Sequence, residues 1–293
     1  MAESPSAQPY ATPILESILH PTDFSEASRT AFYHALKAAL LARSALALMH
    51  VSPSMDADWS DFPGVRETLE RWGLLPPGSP RAAVPMLGID VTKVLLGNRD
   101  PVTAVLDYLD KHPADMIVLA AHQREGRMRW LNQSLAEPIA RQAGQMTLFL
   151  PGDKPGFVSA DDGSVSLQRM LIPIAASPRP QPAVAAAVRL ARRMSLPSGV
   201  FTLLHVGAEG AMPAVQCPEV PGWEWRRVTR PGHVIEVILE TAAAERSDLI
   251  VMATDGRNGF LDALRGSHSE RVLRQAGVPL LTVPVGSLAE ARL

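Results

Sequence analysis

The sequence predicts an α/β protein built from two tandem doubly wound parallel-sheet domains, each with a three-layer α/β/α architecture. Residues 115–151 align without a gap to residues 248–284, always 133 positions apart, and 15 of the 37 pairs are identical. In both halves, short and nearly continuous apolar stretches alternate with stretches of helical period. The first observation indicates a duplicated domain. The second favours parallel strands that are covered by helices on both faces of a sheet.

Length and composition limit the class of protein. The 293 residues suffice for two ordinary domains, and each half is long enough to bury a core. The net charge of -2 gives no general attraction to nucleic acid or anionic lipid. One cysteine excludes an internal disulfide, residues 1–13 lack the pattern of a signal peptide, and no apolar run reaches about 18 residues. We therefore expect a cytoplasmic protein without nucleic-acid or membrane partners.

Periodicity predicts the order βαβαβαβαβ in the first domain, residues 14–151, after an N-terminal tail at residues 1–13. The first helix is predicted from apolar residues at helical spacing, and the last helix from its stop at Gly144. The predicted strands cover residues 14–20, 45–51, 89–96, 116–120 and 146–150. The predicted helices cover residues 26–43, 65–72, 102–111 and 134–143.

The second domain, residues 167–286, repeats this plan before a C-terminal tail at residues 287–293. Residues 152–166 are rich in Gly, Ser, Asp and Pro, have no apolar period, and are predicted to link the domains. Because only a short stretch with Gly and Pro separates the second and third strands, this copy is expected to lack its second helix. The predicted strands cover residues 167–173, 199–206, 224–228, 249–253 and 279–283. The predicted helices cover residues 182–194, 233–245 and 267–275.

A ligand of such a sheet binds beyond the carboxyl ends of the strands, where the strand order reverses. In the second half the fourth strand runs into Ala253 and Gly256, and Gly266 and Ser267 follow at the predicted start of a helix. Glycines let backbone N–H groups approach phosphate oxygens closely, and the free N–H groups of a helix start favour an anion. The sequence therefore predicts a place where a polyphosphate fits.

These segments resemble the universal stress protein family, whose nucleotide-binding members carry Gly-x2-Gly-x9-Gly-Ser/Thr after the fourth strand. The resemblance includes the segments ILHPTDFSEAS (18–28) and MLIPIAASPRP (170–180) and the second-strand endings MHV (49–51) and LHV (204–206). It implies an adenine nucleotide alpha hydrolase-like fold and a non-enzymatic stress-response function. In nucleotide-binding members the Asp after the first strand contacts the nucleoside, the second-strand ending lines the base pocket, and the glycine loop holds the phosphates.

The second half retains part of this pattern. The Asp position is occupied by Ala175, and Ala253 stands at the first glycine. The resemblance implies that ATP or another adenine nucleotide, at most one per chain, binds in this half. The residues assigned to such a site are Val206, Ala253, Gly256, Gly266, Ser267 and His268.

The first half retains the Asp as Asp23 but has lost all three glycines. Its loop positions read Ala120, Gln123, Gln133 and Ser134, and the side chains there are expected to obstruct a phosphate. The resemblance therefore implies a degenerate first site, with Asp23 as its remaining nucleoside-binding position.

Helix capping is an alternative role for several of these residues. Ser267 and Ser134 each begin a Ser-x-x-Glu sequence, which is the capping box that satisfies N–H groups at a helix start. Asp23 with Ser25 has the composition of a helix start, and capping is the favoured interpretation of Asp23. For Ser267, capping and phosphate contact remain equal alternatives.

The histidines do not have the spacing of a metal site. His50 and His205 occupy matching second-strand ends, where a ring nitrogen is expected to bond neighbouring backbone. His20 and His122 are expected near strand ends of the first half, where contact with a ligand is the less favoured alternative. Trp223 and Trp225 fall on one face of a strand, which indicates packing and not nucleic-acid binding.

Known catalytic motifs are missing, including the nucleophile elbow, the Gly-x4-Gly-Lys-Ser/Thr loop and paired acids for two metals. We therefore expect a protein that is not an enzyme, with slow ATP hydrolysis as the last alternative. The rival function is an interaction module in which both nucleotide pockets have degenerated. In either case the apolar last strands are expected to pair the two halves as a pseudo-twofold within the chain, and further association into a homodimer is compatible with this pairing.

Overall fold

The computed structural model describes residues 15–52, 57–97, 99–121, 138–140, 142–152, 154–255, 272 and 275–285. The first half contains β1 (Ser17–Pro21), α1 (Glu26–Ala42), β2 (Ala45–Ser52), α2 (Val65–Arg71), β3 (Asp90–Gly97), α3 (Pro101–Lys111), β4 (Met116–Ala121) and β5 (Met146–Pro151). The second half contains β6 (Arg169–Pro173), α4 (Gln181–Arg193), β7 (Gly199–Val206), β8 (Trp223–Arg230), α5 (Val234–Ala244), β9 (Leu249–Thr254) and β10 (Leu280–Pro284). Residues 138–140, 142–143, 272 and 275 are also helical, within the two predicted last helices.

The ten strands form one sheet in the order β3-β2-β1-β4-β5-β10-β9-β6-β7-β8. Neighbours within each half are parallel, and the halves join through the antiparallel pair of β5 and β10, where Phe149 lies opposite Leu280. The predicted fold class is confirmed, and so is the predicted pairing of the halves through their last strands. Because each last strand covers the open edge of the other, the exposed edges move to β3 and β8.

Apolar side chains cover both faces of this sheet. Ile18 packs into the layer that contains α1 and α4, whereas its neighbour Leu19 packs into the layer that contains α3 and α5. This alternation follows from the period of two along a strand. In α1 the predicted apolar stripe is buried, and its alanines let the helix approach the sheet closely, as at Ala31, Ala35 and Ala39.

The connection between the halves is packed against the first half. Phe157 and Val158 are buried, and Val158 forms an isolated bridge with Val165. The His34 Nε2 atom accepts hydrogen bonds from the backbone N–H groups of Phe157 at 3.0 Å and Val158 at 3.2 Å. The described part of residues 152–166 therefore connects the halves as a packed turn. The sequence of this segment has no apolar period because a turn, and not a helix or strand, directs the Phe157 and Val158 side chains inward.

Two glycines make this turn fit. Gly156 and Gly163 have φ of +69° and +68°, and a Cβ on either would lie 2.5 Å from the ring of His34 or Trp72, respectively. A side chain at either position would meet both the left-handed backbone conformation and the ring. Two of the glycines in this connection are therefore required by close packing.

The second half lacks the helix that precedes the third strand in the first half. Residues 207–222 contain neither helix nor strand, as predicted. In the following strand, Trp223 and Trp225 stack on Phe201 with ring centroids 4.4 Å and 4.5 Å away. The indole N–H of Trp225 donates to the Pro218 carbonyl at 3.0 Å, so the predicted packing role of both tryptophans is confirmed.

The ends of several elements differ from the prediction by one to three residues. The first strand begins at Ser17, and β6 begins at Arg169, because the preceding backbone bonds to the carboxylates of Asp115 and Asp248. The third strand of the second half is longer than predicted and reaches Arg230, since all eight of its residues pair with β7. Side-chain contacts of this kind leave no periodic signal in the sequence.

Candidate functional site

The strand order reverses between β1 and β4 in the first half and between β6 and β9 in the second half. In each half the two strands pair at only two positions, Ile18–Met116 and Leu19–Ile117 in the first half, with the equivalent register in the second. Beyond these pairs the strands separate toward their carboxyl ends. The chain therefore has two equivalent crevices of the kind in which doubly wound sheets bind ligands.

Asp23 organises the start of α1 at the first crevice. Its Oδ1 atom accepts hydrogen bonds from the Ser25 N–H at 3.0 Å, the Ser25 hydroxyl at 2.5 Å and the Ser28 hydroxyl at 2.6 Å. Ser25 is the N-cap residue, and its Oγ accepts the Ser28 N–H at 3.2 Å. These bonds support the favoured interpretation that Asp23 initiates the helix, although the capping atom itself belongs to Ser25.

An aromatic stack occupies the same end of the first crevice. Phe24 has a left-handed backbone with φ of 62°. Its ring stacks on His50 with centroids 3.9 Å apart and meets the Phe62 ring edge at 5.2 Å. His50 lies within the β2 ending, residues 49–51, that the family resemblance assigns to the base pocket. The Phe24 ring therefore covers His50 in the first half, and sequence reasoning missed Phe24.

His20 lies on β1 where this strand separates from β4, and its side chain bonds across to β4. Its side chain is fully buried, and Nδ1 bonds the Val118 carbonyl at 2.9 Å. Burial lowers the pKa of His20 to about 4. The ring is thus a neutral core group, which favours the structural role over the alternative that His20 contacts a ligand. His122 lies outside the described residues.

The backbone beside the second crevice makes the same hydrogen bonds as the backbone beside the first. The Ile174 N–H donates to the Leu204 carbonyl at 2.8 Å, which matches the bond from Thr22 to Met49 in the first half. The predicted role of the paired histidines is confirmed, since Nδ1 of His205 bonds the Ile174 carbonyl at 3.1 Å and Nδ1 of His50 bonds the Thr22 carbonyl at 2.8 Å. Differences between the two crevices therefore arise from side chains.

Small side chains line the second crevice. Ala175 and Ala176 are exposed after β6, where the first half has Asp23 and Phe24. Gly207 lies against the His205 ring, because a Cβ there would be 2.6 Å from Nε2. Val206 and Ala253, on the strands that flank β6, are both partly exposed at this edge. No aromatic ring stacks on His205 among the described residues.

The structure brings together only part of the predicted site. Val206 and Ala253 share the carboxyl edge of the second half, whereas Asp23 belongs to the crevice of the first half. Gly256, Gly266, Ser267 and His268 lie outside the described residues, as do Gln123, Gln133 and Ser134 of the first half.

The described residues also bear on metal sites and membrane spans. Among these residues no group of three or more His, Cys, Asp or Glu side chains is arranged to hold a metal ion. None of the helices described is both long enough and apolar enough to cross a membrane.

Comparison with known families agrees with this architecture. The model of the universal stress protein family matches residues 15–151 and 219–284, which include strands of both crevices. The chain belongs to the universal stress protein family. The gap between the matched segments contains β6 and β7, where the second half departs from the Asp of the first strand.

Solved structures show the same two-domain fold. This universal stress protein is similar to one from Archaeoglobus fulgidus DSM 4304, with 18% identity, a TM-score of 0.61, and coverage of 92% of this chain and 98% of that one. It is also similar to a functionally unknown protein from Pseudomonas aeruginosa PAO1, with 12% identity, a TM-score of 0.60 and 95% coverage of both chains. No curated protein matches the chain. At these identities the likeness establishes the fold.

Proposed function

We propose that this universal stress protein is a non-enzymatic cytoplasmic stress-response protein that binds ATP or a related adenine nucleotide in its second half. The observation that supports this best is the difference between the two crevices. In the first crevice the Phe24 ring stacks on His50 with centroids 3.9 Å apart, which leaves less room for a base. The second crevice has Ala176 at the equivalent position of its backbone. One nucleotide per chain is therefore the expected maximum.

Residues from two strands and the following loop are proposed to hold the nucleotide. Val206, which is partly exposed at the end of β7, lines the base, and Ala253 begins the phosphate loop. Backbone N–H groups near Gly256 and Gly266 approach the phosphates, while Ser267 and His268 stand at the start of the next helix. Because the nucleoside-contacting Asp is replaced by Ala175, affinity is expected to depend mainly on the phosphates.

The proposal includes no reaction. The sequence lacks the arrangements that activate a nucleophile or hold catalytic metals on known nucleotide-hydrolysing folds. A bound nucleotide would then act as a signal, since its presence would stabilise one state of the protein by mass action.

Titration calorimetry with ATP tests the asymmetry. The unmodified chain is expected to bind at most one ATP, and Gly266→Gln is expected to abolish binding by placing a side chain against the phosphates. Gln133→Ala is the matched control in the first half and should leave binding unchanged. Two equivalent sites per chain, or full affinity in Gly266→Gln, would contradict the proposal.

The second candidate function is an interaction module in which both pockets have degenerated. It is favoured by the replacements at Ala175 and Ala253, which remove the nucleoside carboxylate and the first loop glycine. Self-association would use the strand edges left open at β3 and β8. A mass spectrum of ligands released from freshly purified protein, with no nucleotide found and no ATP bound in calorimetry, would support this candidate.

A further inference from the structure

A cavity lies between the two halves, far from the nucleotide crevice. Its volume is about 80 Å³, and it lies, partly open, on the α1 and α4 face of the sheet where β5 meets β10. The walls are mainly apolar and include Ala38, Leu148, Ala186, Leu190 and Leu281. Met116 and Met146, which begin β4 and β5, place the cavity toward the amino ends of the first-half strands.

Arg189 brings a positive charge to this apolar wall. Its Nη1 atom is buried without a hydrogen-bond partner, and no described carboxylate pairs with the guanidinium. Asp115, which also lines the cavity, already accepts the N–H groups of Glu16 and Ser17 through Oδ2 at 2.8 Å and 3.0 Å. Burial lowers the pKa of Arg189. A buried donor without a partner is costly, and an anion in the cavity would remove that cost.

We propose that this cavity binds an aliphatic carboxylate of medium chain length, with the carboxylate on the Arg189 guanidinium and the chain among the apolar residues. The planar guanidinium suits a carboxylate because it donates two parallel hydrogen bonds. Since one water needs about 10–15 Å³ of such volume, the cavity holds roughly six heavy atoms of a chain. Octanoate has a suitable size, because its carboxylate lies at the guanidinium and the remaining seven chain carbons are close to the roughly six atoms that the cavity holds.

Titration calorimetry of the full chain with octanoate, octanol and inorganic phosphate tests both parts of the site. Octanoate is expected to bind with one site per chain. Octanol, which keeps the chain and loses the charge, should bind at least tenfold more weakly, as expected from the loss of charge-assisted hydrogen bonds. Phosphate, which keeps the charge and loses the chain, should not compete with octanoate for this cavity.

Two variants assign the binding to this cavity. Arg189→Met keeps most of the apolar stem and should weaken octanoate at least tenfold. Arg192→Met is the matched control on the same helix, because Arg192 is exposed and donates to the Glu219 carbonyl at 2.7 Å. Ala186→Leu fills the cavity from α4 and should also abolish octanoate binding, with the fold checked by circular dichroism.

The proposal is overturned if the unmodified chain does not bind octanoate, if octanol binds equally well, or if Arg189→Met keeps full affinity. The ATP site is separate from this cavity, so Arg189→Met should leave any ATP binding unchanged. Failure of either proposal therefore does not affect the test of the other.

Discussion

Leu148 on β5 lies directly opposite Leu281 on β10, its own counterpart in the sequence repeat 133 positions later. On either side of this pair, Thr147 faces Thr282 and Phe149 faces Leu280, so the pairing is symmetric about the two leucines. The pseudo-twofold axis of the chain therefore passes between them. Across this axis the equivalent strands β5 and β10 pair through the same edge, as equivalent strands do in the isologous interface of a twofold dimer.

The leucine pair is expected to couple the stability of the two halves. Leu148→Ala and Leu281→Ala should each lower the free energy of unfolding by about 2–4 kcal/mol, because both side chains are buried. The double variant should deviate from additivity by roughly 0.5 kcal/mol or more. Urea unfolding followed by circular dichroism measures all three, with the exposed Leu74→Ala as control. Separate unfolding of the two halves, with additive effects, would argue against this coupling.

Gly163 is expected to be essential for packing of the connection between the halves. Gly163→Ala should destabilise the chain by at least about 1 kcal/mol more than Gly210→Ala, because overpacking adds to backbone strain only at the first position. Both glycines have a positive φ, +68° and +81°, but only a Cβ at Gly163 would meet another residue, the Trp72 ring at 2.5 Å. Thermal unfolding compares the two variants. Equal destabilisation would mean that the backbone conformation alone explains both glycines.

Two buried histidines are expected to make the protein sensitive to acid. Nδ1 of His34 bonds the Thr30 carbonyl at 2.8 Å while Nε2 accepts two backbone N–H groups, an arrangement that holds the ring neutral. Burial lowers the pKa of both His20 and His34 to about 4. The unfolded chain, with histidine pKa values of about 6.5, therefore takes up protons first as the pH falls.

The stabilising contribution of each ring is complete above about pH 6.5 and is lost as the pH falls toward 4, by about 3 kcal/mol in total for each ring. Urea unfolding at pH 7.5, 6 and 5 measures this loss. His34→Gln should be less stable at pH 7.5 and should show a shallower dependence on pH. A free energy of unfolding that is constant from pH 7.5 to 5 would contradict the prediction.

In both halves, one carboxylate accepts the backbone N–H groups at the start of the first strand. Asp248 Oδ2 accepts the N–H groups of Gln168 and Arg169, both at 2.8 Å, as Asp115 does for its own first strand. Asp248→Ala should therefore lower the free energy of unfolding by about 1–2 kcal/mol, because two backbone donors lose their acceptor. Asp110→Ala, at an exposed position of α3, is the control and should change it by less than about 0.5 kcal/mol. Equal effects of the two substitutions in chemical denaturation would exclude this role.

Asp115 and Asp248 show which features of the repeat could be predicted from the sequence and which could not. The identity of Asp115 and Asp248 indicated a duplicated domain, but their role depends on backbone groups about 80 to 100 positions away. The helical stripe of α1 was recognisable because it repeats locally, and its residues Ala31 and Ala35 are buried as expected. The inward turn of Phe157 and Val158 was not recognisable, because it has no repeat and depends on His34.

By itself, the sequence determined the duplication, the order of helices and strands, and the family to which the chain belongs, because each depends on local period or on similarity between segments. The tertiary structure decided which crevice has an aromatic ring stacked on its second-strand histidine, since the Phe24 ring reaches His50 only after β1 and β2 have paired. It also decided that Arg189 of one half faces a cavity formed with Leu148 of the other. Contacts of this kind depend on where distant residues meet, and the spacing of residues along a chain does not contain that information.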